Sequence, residues 1–199
     1  VNFVMMHAYK GYGLEAERAS MADAVRFSKL CHEAGLHIGV YNYSGAFGWE
    51  LFFKERPDAR EWLLTDQSAK TIPYGSSQYR YFWNRNHPAA QAFYKDIVRF
   101  AVRDIRADLI HFDNYGYGPG FDACSVERFR NYLARTFTAK ELKATGITDL
   151  STVYPPMSDA PDHLLRRAWL DFTSQSLADS FSDMTRYARR LRKDILLEC

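Results

Sequence analysis

Apolar and polar residues alternate along this chain in short runs that are separated by longer helical patterns. Four runs have the two-residue period of β-strands, and they cover residues 2–9, 37–43, 109–113 and 195–198. Apolar residues recur with helical spacing in five other stretches, at residues 20–35, 86–102, 125–137, 138–144 and 162–193. A short helix is also predicted near residues 58–64, within an irregular stretch from 44 to 85. Repeated strand-then-helix order predicts a parallel sheet with helices packed outside it.

Local signals mark the ends of the first two long helices. Ser20 predicts the start of the first, with Asp23 three residues later as its capping-box partner. Gly35 is typical of the position just after a helix. Asn86 predicts the N-cap of the second long helix, with Pro88 in its first turn. These signals place each of the two helices between two predicted strands, as in repeated β–α units.

The strands are two-faced, unlike those of an open sheet that helices cover on both sides. One set of alternating positions is wholly apolar: Val4, Met6, Ala8, Ile38, Val40, Ile110, Phe112, Ile195 and Leu197. The other set becomes polar toward the C-terminal end of each strand: Met5, His7, Tyr9, Gly39, Tyr41, Tyr43, Leu109, His111, Asp113, Leu196 and Glu198. A barrel has this division, because helices cover its outside and its site lies at the C-terminal strand ends. We predict an α/β fold of the (β/α)8, or TIM-barrel, type, with residues 1–199 forming about half of a barrel as one domain fragment.

Composition excludes several kinds of partner and favours one. The net charge of +2 is too small to indicate binding to nucleic acid or to a membrane surface, and the longest apolar runs are too short to cross a bilayer. Gly11 and Gly13 after the first strand are not followed by a third glycine, so no dinucleotide cofactor is expected. Aromatic residues make up 16% of the chain, many of them in predicted loops, where their apolar faces suit sugar rings.

Two carboxylates are the candidate catalytic residues. Asp113 ends an apolar strand and precedes a glycine-rich loop, where a carboxylate is costly unless it is solvated, paired or used. Its alternative role is structural, as a cap for its own loop. Glu198 has an inward position on the fourth strand. If the two strands are neighbours, we expect their carboxylates to stand roughly 5 to 9 Å apart, the range of glycosidase carboxylate pairs.

Aromatic and polar side chains around Asp113 are the candidate substrate-binding residues. The predicted set is His7, Tyr9, Tyr41, Tyr43, Trp83, His111 and Asn114. Trp83, like Trp49, Tyr79 and Tyr81, is either a stacking platform or part of a small core beneath the long loop. His111 and Asp113, two residues apart on one strand, could instead hold a metal ion. With no further ligand cluster in the sequence, we expect no metal and no cofactor.

Several segments resemble a known group of proteins. Residues 108–115 (DLIHFDNY) resemble the fourth-strand motif of glycoside hydrolases with α-amylase-like or α-galactosidase-like barrels. Residues 32–41 resemble the preceding helix-to-strand step of those barrels, and residues 57–62 and 86–88 resemble their loop and helix-start segments. The resemblance covers roughly residues 1–120. It implies a carbohydrate-active barrel in which Asp113 is the nucleophile or another essential carboxylate, although Leu109 stands where that group commonly has glycine.

These observations lead to one expected function and two alternatives. We expect a glycosidase that acts on an oligo- or polysaccharide, with a carbohydrate as its partner and neither nucleic acid nor membrane involved. The alternatives are a carbohydrate-binding barrel without activity and a metal-dependent hydrolase that uses His111 and Asp113. The chain shows no signal-peptide pattern, and a secreted or periplasmic location is compatible with the expected function.

Overall fold

The computed structural model describes residues 2–43, 46–47, 50–157 and 163–199. Its strands are β1 (Phe3–His7), β2 (His37–Tyr43), β3 (Ala46–Phe47), β4 (Tyr81–Phe82), β5 (Leu109–Asp113) and β6 (Leu196–Glu198). Its α-helices are α1 (Arg18–Glu33), α2 (Glu50–Glu55), α3 (Pro88–Arg103), α4 (Ala123–Thr136), α5 (Ala139–Ala144) and α6 (Leu164–Leu191), with 3-10 turns at Pro57–Trp62 and Leu150–Thr152. In the described ranges, no helix is both long and apolar enough to cross a membrane.

The four predicted strands form one parallel sheet. Their order is β1-β2-β5-β6, and every neighbouring pair is parallel. The two short strands β3 and β4 pair antiparallel in a separate two-stranded sheet. The strand-and-helix order and the parallel sheet predicted from the sequence are thus confirmed.

The two faces of the sheet differ as predicted. On one face, Ile38, Val40, Ile110 and Phe112 are fully buried in the core that the sheet shares with the helices. On the other face, Met5 is 43% exposed and Leu196 is 62% exposed. Helices therefore cover one face only, and the uncovered face is the inside of a half-barrel.

Two predicted helix starts are wrong. Helix α1 begins at Arg18, because the carboxylate of Glu17 accepts the amides of Lys10 and Tyr12, both at 2.7 Å, and so fixes the chain just before the helix. Ser20 lies within the first turn, where its hydroxyl donates to the Glu17 carbonyl.

The start of α3 also differs from the prediction. Helix α3 begins at Pro88 with His87 as its N-cap, and Asn86 does not cap it. The side chain of Asn86 instead donates to Ser176 of α6 at 3.3 Å and accepts from Arg128 of α4 at 3.3 Å. Asn86 therefore joins the connection before α3 to two other helices.

Asp108 connects several segments at the N-terminal end of the sheet. Its carboxylate accepts the backbone amide of Ile38 at 2.8 Å and the guanidinium of Arg192 at 2.9 Å, and it lies 3.3 Å from the His32 ring. Its own backbone bonds to Ile38 on one side and Leu196 on the other. Burial alone would raise the pKa of Asp108, but the Ile38 amide, Arg192 and His32 together hold that pKa below its ordinary value. One side chain thus ties β2, β5 and the segment before β6 together.

Asp108→Asn is expected to lower the free energy of unfolding at neutral pH by about 1–3 kcal/mol, because hydrogen bonds to a charged acceptor are lost. The folded-state pKa of Asp108 is depressed, so this stabilisation is present above its ordinary pKa of 3.8 and is lost as the pH falls through the folded-state value. Urea unfolding at several pH values should show the wild-type and variant curves converging in acid. Asp96→Asn, in an exposed pair on α3, is the control, and an equal effect of both substitutions would contradict the role of Asp108.

Candidate active site

One row of polar side chains crosses the uncovered face of the sheet near the C-terminal strand ends. Strand register places His7 beside Tyr41, Tyr41 beside His111, and His111 beside Glu198. The rings of His7 and Tyr41 lie 4.8 Å apart, and those of Tyr41 and His111 lie 5.3 Å apart. The Nδ1 atom of His111 lies 3.0 Å from Oε1 of Glu198. All four strands therefore contribute to one continuous polar row, which was predicted only as a shared face.

Asp113 lies two residues beyond His111 on β5, nearer to the C-terminal ends of the strands. It ends β5 opposite Tyr43 of β2, and its side chain is 17% exposed. The Tyr41 hydroxyl and the Asn114 amide both donate to its carboxylate, and Nε2 of His111 lies 3.9 Å from Oδ1. Asp113 is thus held by hydrogen bonds yet accessible from the uncovered face, in the position where barrel enzymes place reacting groups.

The Tyr41 phenol keeps its proton at working pH. Burial, and then the hydrogen bond to the ionised Asp113, raise the pKa of Tyr41 to about 12. Burial and the nearby charge of Lys10 lower the pKa of His7, despite the opposing effect of Asp113. Tyr41 is therefore a hydrogen-bond donor to Asp113, and His7, the first residue of the row, is a ring that favours its uncharged form.

Asn114 adopts a backbone conformation that few residues tolerate. Its φ of +52° lies in the left-handed region, where Asn is less strained than most side chains. The buried Arg85 donates to the Asn114 carbonyl at 2.9 Å, and its guanidinium lies 4.0 Å from the Tyr115 ring centre. This arrangement fixes the turn after β5 and directs the Asn114 amide toward Asp113.

Tyr74 is a site residue that sequence reasoning missed. It lies in the long segment between β3 and β4, and its hydroxyl is 3.5 Å from the Asn114 amide. Its ring contacts Phe82 of β4 at 5.2 Å, and Arg80 lies over it at 4.5 Å. The abundance of aromatic residues indicated such a wall, but no local signal distinguishes Tyr74 from the other loop aromatics.

Two predicted wall residues lie in the core instead. Tyr9 is buried and packs against Phe93 of α3, because β1 ends at His7 and the alternation of faces does not continue beyond it. Trp83 is also buried and packs against Tyr94 of α3. The expectation that Tyr9 lines the open face is therefore corrected. For Trp83, the structure favours the core alternative over the stacking platform, so its assignment as a substrate-binding residue is corrected as well. The side chain of Tyr43 and all of Trp49 lie outside the described residues.

Glu198 lies on β6, the predicted fourth strand, where its neighbour on β5 is His111. Strands β5 and β6 are neighbours, which was the condition for pairing the two carboxylates, but their register sets Glu198 against His111 rather than Asp113. The His111 ring faces Glu198 with Nδ1 and Asp113 with Nε2. Within the described ranges, no group of three or more His, Cys, Asp or Glu side chains could hold a metal ion.

Comparison with known proteins shows similarity in structure and none in sequence. No protein-family model matches the chain, and no curated protein matches it. The structure is similar to an α-galactosidase from Lactobacillus brevis, with a TM-score of 0.56 and 9% identity. It is also similar to the galactosidase domain of an α-galactosidase-sucrose kinase, with a TM-score of 0.53 and 12% identity.

Both similarities cover the whole of this chain but only part of the solved proteins. The chain spans 22% of the length of each. At these identities the likeness concerns the fold alone. The chain therefore has the fold of about half of a (β/α)8 barrel, with a parallel sheet and outer helices, and its structural neighbours are glycoside hydrolases with TIM barrels.

Proposed function

We propose that this chain carries one half of a glycoside hydrolase active site, with Asp113 as the carboxylate that acts at the anomeric carbon. The observation that carries the proposal is the setting of Asp113, a hydrogen-bonded and accessible carboxylate at the C-terminal end of a half-barrel strand. The fold of the structural neighbours supports the same function.

The surroundings of Asp113 suit a reacting carboxylate. Tyr41 and Asn114 donate to it, so its oxygens are held in a fixed orientation. An ionised carboxylate can attack the anomeric carbon directly or remove a proton from an attacking water. Both routes belong to the proposal, because the distance between the two reacting carboxyl groups in a complete barrel determines which route operates.

The leaving oxygen needs a proton donor, and Glu198 was the candidate from the sequence. Its carboxylate lies against Nδ1 of His111, while Asp113 faces Nε2 on another side of that ring. A direct pair of Asp113 and Glu198 stays a hypothesis. We propose that the donor comes from the strands that complete the barrel.

The walls of the site suit a sugar. His7, Tyr41, His111 and Tyr74 place aromatic rings with polar edges around Asp113 and Asn114. Such rings offer apolar faces for stacking together with hydrogen-bonding groups for hydroxyls, which is the combination that a sugar ring requires. We therefore propose His7, Tyr41, Tyr74, His111 and Asn114 as substrate-binding residues, with Tyr43 kept as a further candidate.

The test of this function is hydrolysis of 4-nitrophenyl glycosides by the protein that contains this chain in a complete barrel. A panel of α- and β-glycosides, with galactosides and glucosides included, should reveal release of nitrophenolate from at least one substrate. Turnover should persist in a strong chelator. Binding of sugars without turnover of any substrate would support the inactive carbohydrate-binding alternative, and loss of turnover in chelator would support the metal-dependent one.

A further inference from the structure

The contact between Glu198 and His111 assigns a role to Glu198 that differs from catalysis. We infer that Glu198 is a positioning residue: it holds His111 in the tautomer that carries hydrogen on Nδ1, so that Nε2 accepts a hydrogen bond from a substrate hydroxyl beside Asp113. The last part of this inference rests on the proposed glycosidase function, whereas the tautomer itself does not.

The geometry of the contact between His111 and Glu198 determines which atom carries the hydrogen. The Nδ1 atom of His111 lies 3.0 Å from Oε1 of Glu198, a normal hydrogen-bond distance. An ionised carboxylate can only accept, so the hydrogen must belong to Nδ1. Parallel pairing of β5 with β6 sets the two residues side by side, so the contact follows from the register of the sheet.

The other nitrogen of the His111 ring, Nε2, faces Asp113. In a neutral imidazole with hydrogen on Nδ1, Nε2 is an acceptor. It lies 3.9 Å from Oδ1 of Asp113, beyond hydrogen-bonding distance, and both atoms are then acceptors. A substrate hydroxyl beside Asp113 can therefore donate to Nε2 of His111. The same logic applies in metal sites, where a carboxylate on one ring nitrogen fixes the orientation and the role of the other.

Positioning and acid catalysis place different geometric requirements on Glu198. The Glu198 side chain is 52% exposed, and its carboxylate is already used by His111. A proton donor to a leaving group has to reach the glycosidic oxygen, whereas a positioning carboxylate has to reach only the ring. The two roles therefore make different predictions for binding and for turnover when Glu198 is replaced.

The direct test is nitrogen NMR of this 199-residue chain labelled with ¹⁵N-histidine, without any substrate. The chain has 6 histidines, and His111→Asn identifies the signals of His111. In the wild type at neutral pH, Nδ1 of His111 should carry the hydrogen. In Glu198→Ala the hydrogen should move toward Nε2, the position favoured by free histidine. Glu127→Ala, an exposed glutamate on α4, is the control and should leave the signals unchanged.

Two NMR results would overturn the inference. One is a wild-type ring with its hydrogen on Nε2, which needs no variant to be measured. The other is a folded Glu198→Ala chain in which the tautomer of His111 is the same as in the wild type. Both readouts are independent of activity, so a chain without glycosidase function can still satisfy or fail them.

Kinetics of the active protein separate the two roles of Glu198. For a positioning residue, Glu198→Ala should raise KM about tenfold, the value of one lost hydrogen bond, and change kcat less than about threefold. For a proton donor, kcat should fall by about 100-fold or more while KM changes little. The second pattern would contradict the inference and leave the proposed glycosidase function intact.

Discussion

Asp113→Asn is expected to lower kcat by at least about 100-fold while the protein stays folded and still binds sugar. Asn nearly matches the shape of Asp, so the packing at the end of β5 should survive. It cannot serve as an anionic nucleophile or as a base, and loss of such catalysis typically costs 10²- to 10⁴-fold. The measurement is kcat on the best aryl glycoside, together with the melting temperature of the same samples.

Asp171→Asn is the matched control, since this aspartate is exposed on α6. It should leave both kcat and melting temperature near the wild-type values. The alternative is that Asp113 only stabilises the loop after β5 by accepting hydrogen bonds. Because Asn keeps one acceptor oxygen, it would retain much of that stabilisation. A folded Asp113→Asn protein with kcat near that of the wild type would establish that structural role.

Phe112→Ala is expected to lower the free energy of unfolding by about 3–5 kcal/mol, the usual cost of removing a large aromatic side chain from a core. Phe112 is fully buried and contacts Tyr94 of α3, Tyr115 and Phe181 of α6. Its loss leaves a cavity between the sheet and two helices. The edge strands of the sheet are β1 and β6, and each presents backbone groups that are not paired within the sheet. We therefore expect the wild-type chain to have a small free energy of unfolding. Denaturant unfolding measures the loss.

Phe27→Ala is the control for this substitution. Phe27 lies on α1 and is 45% exposed, so its removal should cost less than about 1 kcal/mol. Similar losses for the two variants would show that Phe112 does not lie in the core described above. A melting transition that is cooperative and at high temperature in the wild-type monomer would further show that the open strand edges weaken the chain less than expected.

The sequence predicted the sheet well because the two-residue period of apolar residues in its strands agrees with the burial of alternate side chains. The bounds of β2 and β5 match the predicted runs 37–43 and 109–113. Ile38, Val40, Ile110 and Phe112 alternate with polar residues, and such alternation fits a strand with one covered face. The assignment of Asp113 to the uncovered face follows from the same period.

The remaining parts of the site depend on contacts between distant segments. The alternation predicted for β1 fails at Tyr9, because the strand ends two residues earlier and the ring packs on α3. The register that sets Glu198 beside His111 is a property of strand pairing, which local sequence does not encode. Tyr74 reaches Asn114 across 40 positions of the chain, so only the folded loop reveals it.

The resemblance noted in the sequence and the structural similarity agree at the level of fold. The residues 108–115 that carried the resemblance form β5 and the turn with Asn114, which is the part of the half-barrel that contains the candidate site. Sequence comparison alone matches no family. The link between chain and function therefore rests on the position and surroundings of Asp113.

Rescue by azide is the most direct measurement of that link. In Asp113→Gly, the missing carboxylate leaves space beside the anomeric carbon of an aryl glycoside. Azide can attack that carbon, so that a carbon–nitrogen bond forms as the bond to nitrophenolate breaks and its electron pair leaves with the phenolate. If Asp113 acts at the anomeric carbon, the variant should be inactive alone, and azide should restore release of nitrophenolate with a glycosyl azide as product. A folded variant that is active without azide, or inactive and unresponsive to it, would contradict the central role of Asp113.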